Sequence, residues 1–398
     1  MRIEQLRLKN FKMFRDVTVK DIQPFTVLVG ANGSGKSTFF DLFGFLRDCL
    51  KDNVRTALAK RGGFREVVTR GHDAETILIE LKIRMQLKIG ESDSERTVTY
   101  FIEIAYAGGE ISVAHEQLRY TRFGGGQPFR FIDFRHGAGS AINNEPELAK
   151  GGQERREDQR LDSRDILAIK GLGQFQRFEA ASAIRNLIEN WHVSDFHISA
   201  ARTSPDAGVA EHLSSEGENL PLVAQYLYEN HHKLFDQVLA IMRRRVPGIS
   251  DVEAKQTEDG RIVLRFQDGS FKDPFIARYV SDGTIKMFAY LVLLYDPKPH
   301  PLLCVEEPEN QLYPTLMEEL AEEFESYASR GGQVFVSTHS PDFLNAVPVK
   351  SLFVISKEKG LSVIRPASDF DQISNMVNAG DKLGWLWRQG MFKGVSPE

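Results

Sequence analysis

Residues Gly30-Ala31-Asn32-Gly33-Ser34-Gly35-Lys36-Ser37 fit the spacing G-x-x-x-x-G-K-[ST]. Glycines at these positions let backbone N–H groups turn inward on an anion with no side chain in the way. Asn32, Gly33, Ser34, Gly35 and Thr38 would frame a phosphate chain. Lys36 would reach its β- and γ-phosphates, and the Ser37 hydroxyl would sit on Mg²⁺. The flanks suit that chemistry. Phe25-Thr26-Val27-Leu28-Val29 reads as a short buried strand, and Thr38 to Leu50 carries apolar residues at helical spacing. A strand, a glycine loop and a helix N-terminus in sequence make an anion site.

A second set of reactive residues lies far downstream. Pro301 to Val305 is apolar and runs into Glu306 and Glu307. Strand ends of open α/β sheets are where ligands bind. The first acid, Glu306, suits a metal held through water. The second, Glu307, suits a base that polarises an attacking water. An acidic loop after a core strand is the plainer alternative, since Glu-Glu-Pro-Glu is ordinary surface composition. Gln333 to Ser337 is another buried strand, followed by His339, whose neutral imidazole could contact a γ-phosphate or orient water. Ser281-Asp282-Gly283-Thr284 opens a helix over Ile285 to Leu294. Ser281 or Asp282 could cap it, and its N-terminus is a second place for an anion.

The elements that must position these residues read as an α/β chain. Met1 to Leu8 alternates apolar and polar, Asn10 to Phe14 interrupts it, and Val17 to Val19 resumes. Thr76 to Met85, Thr97 to Ala107 and Ile111 to Arg122 predict an antiparallel meander. His136 to Arg164 is rich in Gly, Asn, Glu and Arg, which predicts a mobile insertion. Arg177 to Asn190 predicts a helix, Asp195 to Ser199 a strand, and Asn219 to Arg245 a long amphipathic helical region. Further on, strands and helices alternate, with a helix over Pro314 to Ala328, which implies a mostly parallel sheet covered by helices. Three parts are expected: an ATP-binding lobe over 1–200 containing the insertion 136–164, a helical lobe over 201–280, and a core-completing segment over 281–398. His231-His232 and Arg243-Arg244-Arg245 read as a solvated pair and as charge complementing a helix C-terminus.

The chain has 398 residues, enough for a large core. A net charge of −5 argues against a surface that coats nucleic acid overall, while leaving room for a local basic groove. Cys49 and Cys304 both lie in apolar runs, which suggests reduced core thiols rather than a disulfide framework or a zinc site. With neither a signal peptide nor an apolar run of membrane-spanning length in the sequence, a cytoplasmic protein without a membrane span is expected.

The four pieces come in the order Gly30–Ser37, Ser281–Thr284, Leu302–Glu307, His339. That order resembles the ATP-binding-cassette ATPase head: Walker A, signature, Walker B with its catalytic Glu, and switch His. MRIEQLRLKNFKMFRDVTV followed by FTVLVGANGSGKST is similar to the start of RecF, SMC and OLD-type ATPases. Val305 to Pro314 (VEEPENQLYP), Ser337 to Pro341 (STHSP), Gly217 to Leu220 and Lys382 to Trp387 resemble compact bacterial members of that group. The resemblance implies a P-loop NTPase head and ATP hydrolysis with Mg²⁺. Glu307 and His339 would be catalytic, Ser37 and Glu306 would lie at the metal, and Lys12 on the adenine side. It implies a homodimer or higher homo-oligomer joined head-to-tail by ATP, with Ser281, Asp282 and Gly283 of one subunit covering the nucleotide of the other. Roles in DNA repair, genome maintenance or anti-phage defence follow, with DNA as a further ligand and a separate effector such as a nuclease.

The chain departs from the family in several places. The signature lacks Gly-Gly-Gln, the first Walker B acid is Glu306 instead of Asp, and the Q-loop glutamine has no counterpart; Arg202 lies in its region. The coiled-coil arm of SMC proteins and the C-terminal nuclease domain of OLD nucleases are both missing from the pattern. Two other readings remain: a nucleotide-switched scaffold with slow turnover, and a transporter ATPase subunit. The unplaced glutamine, the meander and the signature argue against the latter.

Overall fold

The computed structural model describes residues 1–89, 91–120, 128–149 and 152–392. Up to Trp191 the strands are β1 (Arg2–Phe11), β2 (Phe14–Val19), β3 (Phe25–Val29), β4 (Ile77–Ile89), β5 (Ser92–Ala107), β6 (Glu110–Tyr120), β7 (Phe129–Arg135), β8 (Ala138–Ile142) and β9 (Arg156–Arg160). Then come β10 (His192–Ser194), β11 (Ile249–Gln256), β12 (Ile262–Asp268), β13 (Phe275–Ile276), β14 (Leu303–Glu306) and β15 (Val334–Ser337). A last pair, β16 (Leu352–Glu358) and β17 (Leu361–Pro366), follows.

The chain divides into two compact units. The first holds Met1–Trp191, Val349–Asn378 and the residues from Gly390 on; the second holds His192–Pro348 and Ala379–Gln389. The expected cuts at 200 and 280 are not the ones these units follow. Residues 349–378 return to the first unit because β16 pairs with β3 in parallel and β17 closes a hairpin on β16.

In the first unit a sheet runs β2-β1-β4-β5-β6-β7-β8-β9, antiparallel at every step. β4 shows why it forms. Ile77, Ile79, Leu81, Ile83, Met85, Leu87 and Ile89 alternate with more exposed residues, so one face is apolar. Helix α1 (Lys36–Lys51) packs on helix α2 (Glu179–Glu189), and α2 on β4. Within α1, Phe39, Phe40, Phe43 and Leu46 are buried, and Phe43 meets Trp191 edge-on at 5.4 Å. The meander expected at 76–122 is therefore the middle of a larger antiparallel sheet; residues 121 and 122 lie outside the described residues.

The second unit carries a parallel group, β10-β14-β15, and an antiparallel group, β11-β12-β13. Helices α3 (Leu220–Asn230), α4 (His232–Arg245), α5 (Asp282–Leu294) and α6 (Met317–Ser329) accompany them. Every residue of α5 from Gly283 to Leu294 is buried, so it is a core helix. Together the elements make the expected α/β fold, with parallel strands, an antiparallel meander and helices.

Three local expectations differ from the structure. The segment 136–164, expected to be a mobile insertion, holds β8, the helical turn Glu145–Ala149 and β9; positions 150 and 151 lie outside the described residues. Its Ala141, Ile142 and Leu148 are buried, and β9 is polar because it lies at the sheet edge. The strand expected at Asp195–Ser199 ends at Ser194, and Ile198–Ala201 is helical. The single helical region Asn219–Arg245 breaks at His231, whose N–H still bonds back to Leu227 before α4 begins.

Candidate nucleotide site

The first unit contains the phosphate loop. β3, buried at all five positions, delivers Gly30 to its end, and α1 starts at Lys36. The turn closes through Ser34 N–H donating to the Ala31 carbonyl at 3.1 Å. Gly35 is the N-cap at φ +114°, a left-handed backbone that glycine adopts without strain. It has no side chain to satisfy the N–H groups of the first helical turn, which lack acceptors within the helix. A Cβ at Gly30 would collide with the Ile355 carbonyl, and one at Gly35 would lie 2.6 Å from Ser362 Oγ. Ser362 itself donates to the Ser34 carbonyl at 2.5 Å and its N–H donates to Met13, so β17 braces the loop from behind. Lys36 is buried, with Nζ 2.9 Å from the Gly30 carbonyl and 3.4 Å from that of Ala31. Ser37 and Thr38 follow it in the first turn of α1. A backbone cradle that excludes side chains, a helix N-terminus and a lysine fit a triphosphate.

Lys12 has its ammonium 2.5 Å from the Asp41 carboxylate, which Arg61 also holds at 2.7 Å. Its N–H donates to Val67. Neighbouring Asn10 is buried and donates to Glu75 at 3.1 Å. Hydrogen bonds from Asn10, His72 and Arg15 hold the Glu75 carboxyl down at about 2. Asn10, Lys12 and Arg15 thus bind together the turn between β1 and β2. Arg70 is exposed and paired with Glu66 at 2.6 Å.

The second unit contains Glu306, Glu307, His339 and Ser281 to Gly283. Glu306 ends β14 in register with Ser337 of the parallel neighbour β15. Glu307 follows at φ +43°, its N–H bonded to the Ser337 carbonyl at 2.9 Å. Its carboxylate is held from two sides: Asn310 Nδ2 donates at 3.2 Å, and His339 Nε2 lies 3.3 Å away. The His339 backbone N–H donates to Glu309 Oε1 at 2.5 Å. Burial pushes the Glu309 carboxyl up, while that N–H bond pulls the other way.

The start of α5 packs against the same loop. Ser281 is its cap: Oγ accepts Thr284 N–H at 3.3 Å. Asp282 pairs with Arg202 at 2.7 Å, and Arg202 also donates to the Val280 carbonyl. A Cβ at Gly283 would lie 3.1 Å from the Gln311 carbonyl, a tight contact to which the loop would have to give by a few tenths of an ångström. Lys286 Nζ donates to the Asn310 carbonyl at 2.6 Å. Burial lowers the Lys286 ammonium to about 8, opposed by Glu309 and Glu307.

The structure therefore brings Glu307 and His339 together, and seats Ser281, Asp282 and Gly283 beside the loop that follows Glu307. Sequence reasoning missed Lys286 and Ser362, gave Glu309 and Asn310 no individual role, and placed Arg202 only in the Q-loop region. Lys286 was the most legible of these, as the one basic residue in the apolar helix IKMFAYLVLL. Cys49 and Cys304 are both buried, and no helix of the described residues is long and apolar enough to cross a membrane.

The chain belongs to the family described as "AAA ATPase domain", whose model matches residues 1–203, just over half of its 398. A second model, "AAA domain, putative AbiEii toxin, Type IV TA system", matches residues 124–345. The protein is thus a P-loop ATPase, an enzyme that hydrolyses a nucleoside triphosphate. No curated protein matches it. In fold it is similar to a crystal structure of an Smc head bound to the C-terminal winged-helix domain of ScpA, with a TM-score of 0.54 at 16% identity, covering 92% of this chain and 97% of that one. It is also similar to an Smc head with an extended coiled coil bound to the C-terminal domain of ScpA, derived from Pyrococcus furiosus. That match has a TM-score of 0.52 at 13% identity, over 94% of this chain and 99% of that one. At these identities the likeness is one of fold.

Proposed function

We propose that the protein is an ATP-driven switch that pairs head-to-tail around ATP, hydrolyses it, and signals to a separate effector such as a nuclease in DNA repair, genome maintenance or anti-phage defence. The observation that carries the hydrolysis reading is the Glu307 carboxylate, oriented at once by Asn310 and His339 at the end of a parallel strand. Asn32 to Thr38 would hold the triphosphate, with Lys36 exchanging its loop carbonyls for phosphate oxygens. Ser37 and Glu306 would hold Mg²⁺, which when bound screens the phosphate charge.

Glu307 would take a proton from water as that oxygen attacks the γ-phosphorus. The bond from the γ-phosphorus to the β-bridging oxygen breaks, leaving ADP and phosphate. His339 would orient the water. One phosphate loop leaves the γ-phosphate exposed, so the Ser281–Gly283 helix start of a second copy would complete its enclosure. Hydrolysis would then part the two copies.

The toxin–antitoxin wording of the second family model supports a defence role. The ScpA-bound Smc heads support a partner protein read by nucleotide state. DNA would enter as a trigger through a local basic surface.

The test is steady-state ATP turnover at low salt, with and without duplex DNA, beside the mass in solution of Glu307→Gln with and without ATP. Turnover that DNA raises, and a mass that doubles on ATP, are expected. Tight ATP binding without turnover would replace this reading with a nucleotide-switched scaffold. No DNA effect at low salt would remove DNA as the trigger.

A further inference from the structure

Away from the nucleotide residues, the second unit gathers three imidazoles and a carboxylate. His212, Asp296 and His300 each offer one ligand atom, and those atoms all lie within 4.8 Å of one another. His212 Nδ1 lies 2.7 Å from Asp296 Oδ2. The His192 ring packs on that of His300 with centroids 4.8 Å apart. We propose that His212, Asp296 and His300 form a binding site for a divalent transition-metal ion of the zinc type.

Ligand chemistry and geometry both support this assignment. Two imidazole nitrogens and one carboxylate oxygen are a zinc donor set and a poor one for Mg²⁺ or Ca²⁺, which take oxygen. Bonds of about 2.0–2.1 Å around a tetrahedral ion put ligand atoms roughly 3.3 Å apart. The observed separations, from 2.7 Å up to 4.8 Å, straddle that value.

The surroundings are built to hold the ligands still. Asp296 is buried, and its Oδ1 takes the Lys298 N–H at 2.8 Å, which leaves Oδ2 aimed at the imidazole. Asp296-Pro297-Lys298-Pro299-His300 places a proline on either side of Lys298, so the spacing of two ligands is set by a stiff loop. The His300 carbonyl accepts the Tyr327 hydroxyl at 2.6 Å, anchoring the loop to α6. A plain His–Asp ion pair accounts for His212 and Asp296, but not for the His300 ring, whose centroid lies 5.4 Å from that of His212. His212 remains partly exposed, leaving solvent access for a fourth position.

The loop 295–302 joins α5, which begins at Asp282, to β14, which ends at Glu306. An ion here would tie that connection to the segment around His212 and stiffen the frame that carries both. This role is structural and does not depend on the proposed function.

The test uses tag-free, chelator-stripped, nucleotide-free full-length protein titrated with Co²⁺ and then Zn²⁺. One equivalent of Co²⁺ should give the visible absorption of a four-coordinate ion, Zn²⁺ should displace it, and Zn²⁺ should raise the melting temperature. His212→Ala, at a partly exposed position and with its melting temperature reporting folding, should weaken binding by at least about 100-fold. His232→Ala, at an exposed site on α4, should leave it unchanged. Absence of stoichiometric binding to the wild-type chain would overturn the proposal. So would binding undiminished in His212→Ala, which would place the ion at Ser37, Glu306 or another site.

Discussion

Replacing Gly35 with alanine isolates what the phosphate loop's shape is worth. At φ +114° a side chain forces a backbone conformation costing about 1–3 kcal/mol. Its Cβ would also lie 2.6 Å from Ser362 Oγ, the atom that holds the Ser34 carbonyl. Turning that hydroxyl away forfeits a hydrogen bond worth about 1 kcal/mol. Without ligand the altered loop can relax; around phosphates it must return to this shape, so the cost falls on affinity. A total of roughly 2–4 kcal/mol corresponds to ~30- to 1000-fold weaker ATP binding. Gly33→Ala is the internal comparison. It sits at φ +71°, but the nearest atom to its Cβ, Lys357 Nζ, is 3.8 Å away. Strain alone, about 1–2 kcal/mol, predicts roughly 5- to 30-fold. The assay is the Kd for a fluorescent ATP analogue with Mg²⁺, with the melting temperature reporting folding. In Gly35→Ala/Ser362→Gly the contact is relieved, but the strain and the missing hydrogen bond to the Ser34 carbonyl both remain, so little of the loss should return. Gly35→Ala binding as tightly as wild type, or Gly33→Ala costing more than Gly35→Ala, would refute the reasoning.

Glu307→Gln should lower ATP turnover by about 10²- to 10⁴-fold with ATP affinity kept, because it removes a base and keeps the shape that Asn310 holds; a fall in affinity instead would assign Glu307 to binding. Burial pushes the Glu116 carboxyl up to about 7, against the pull of the Ile169 and Ala168 N–H groups and the Tyr100 hydroxyl. The folded chain then binds more protons than the unfolded one between about pH 4.5 and 7, so stability should fall by about 3 kcal/mol as pH rises through that window. Urea unfolding of Glu116→Gln across the same range should lack that slope, whatever its constant loss. Ser281→Ala should cost about 1 kcal/mol through the lost cap of α5, and thermal melts showing no loss would assign the cap to another residue.

Residues that are neighbours in sequence carried most of what could be read without a structure. The phosphate loop is legible because glycine spacing dictates backbone shape directly: the left-handed positions at Gly33 and Gly35 and the helix start at Lys36 need no distant partner. Strands β14 and β15 and the Ser281 cap are legible for the same local reason, as apolar runs and a short polar side chain before a helix. Residues 136–164 do not read as strands because their polar composition hides an edge hairpin: β9 pairs with β8 of the same segment, and β8 joins the sheet through β7. Tertiary structure alone decided the rest. Ser362 reaches Ser34 across 328 residues, Arg202 reaches Asp282, Glu309 takes the N–H of His339, and His212 meets Asp296 and His300. Those meetings depend on how strands register and helices pack. A side chain's chemistry is written in its own residue, but its neighbours are chosen by the burial of apolar surface elsewhere in the chain.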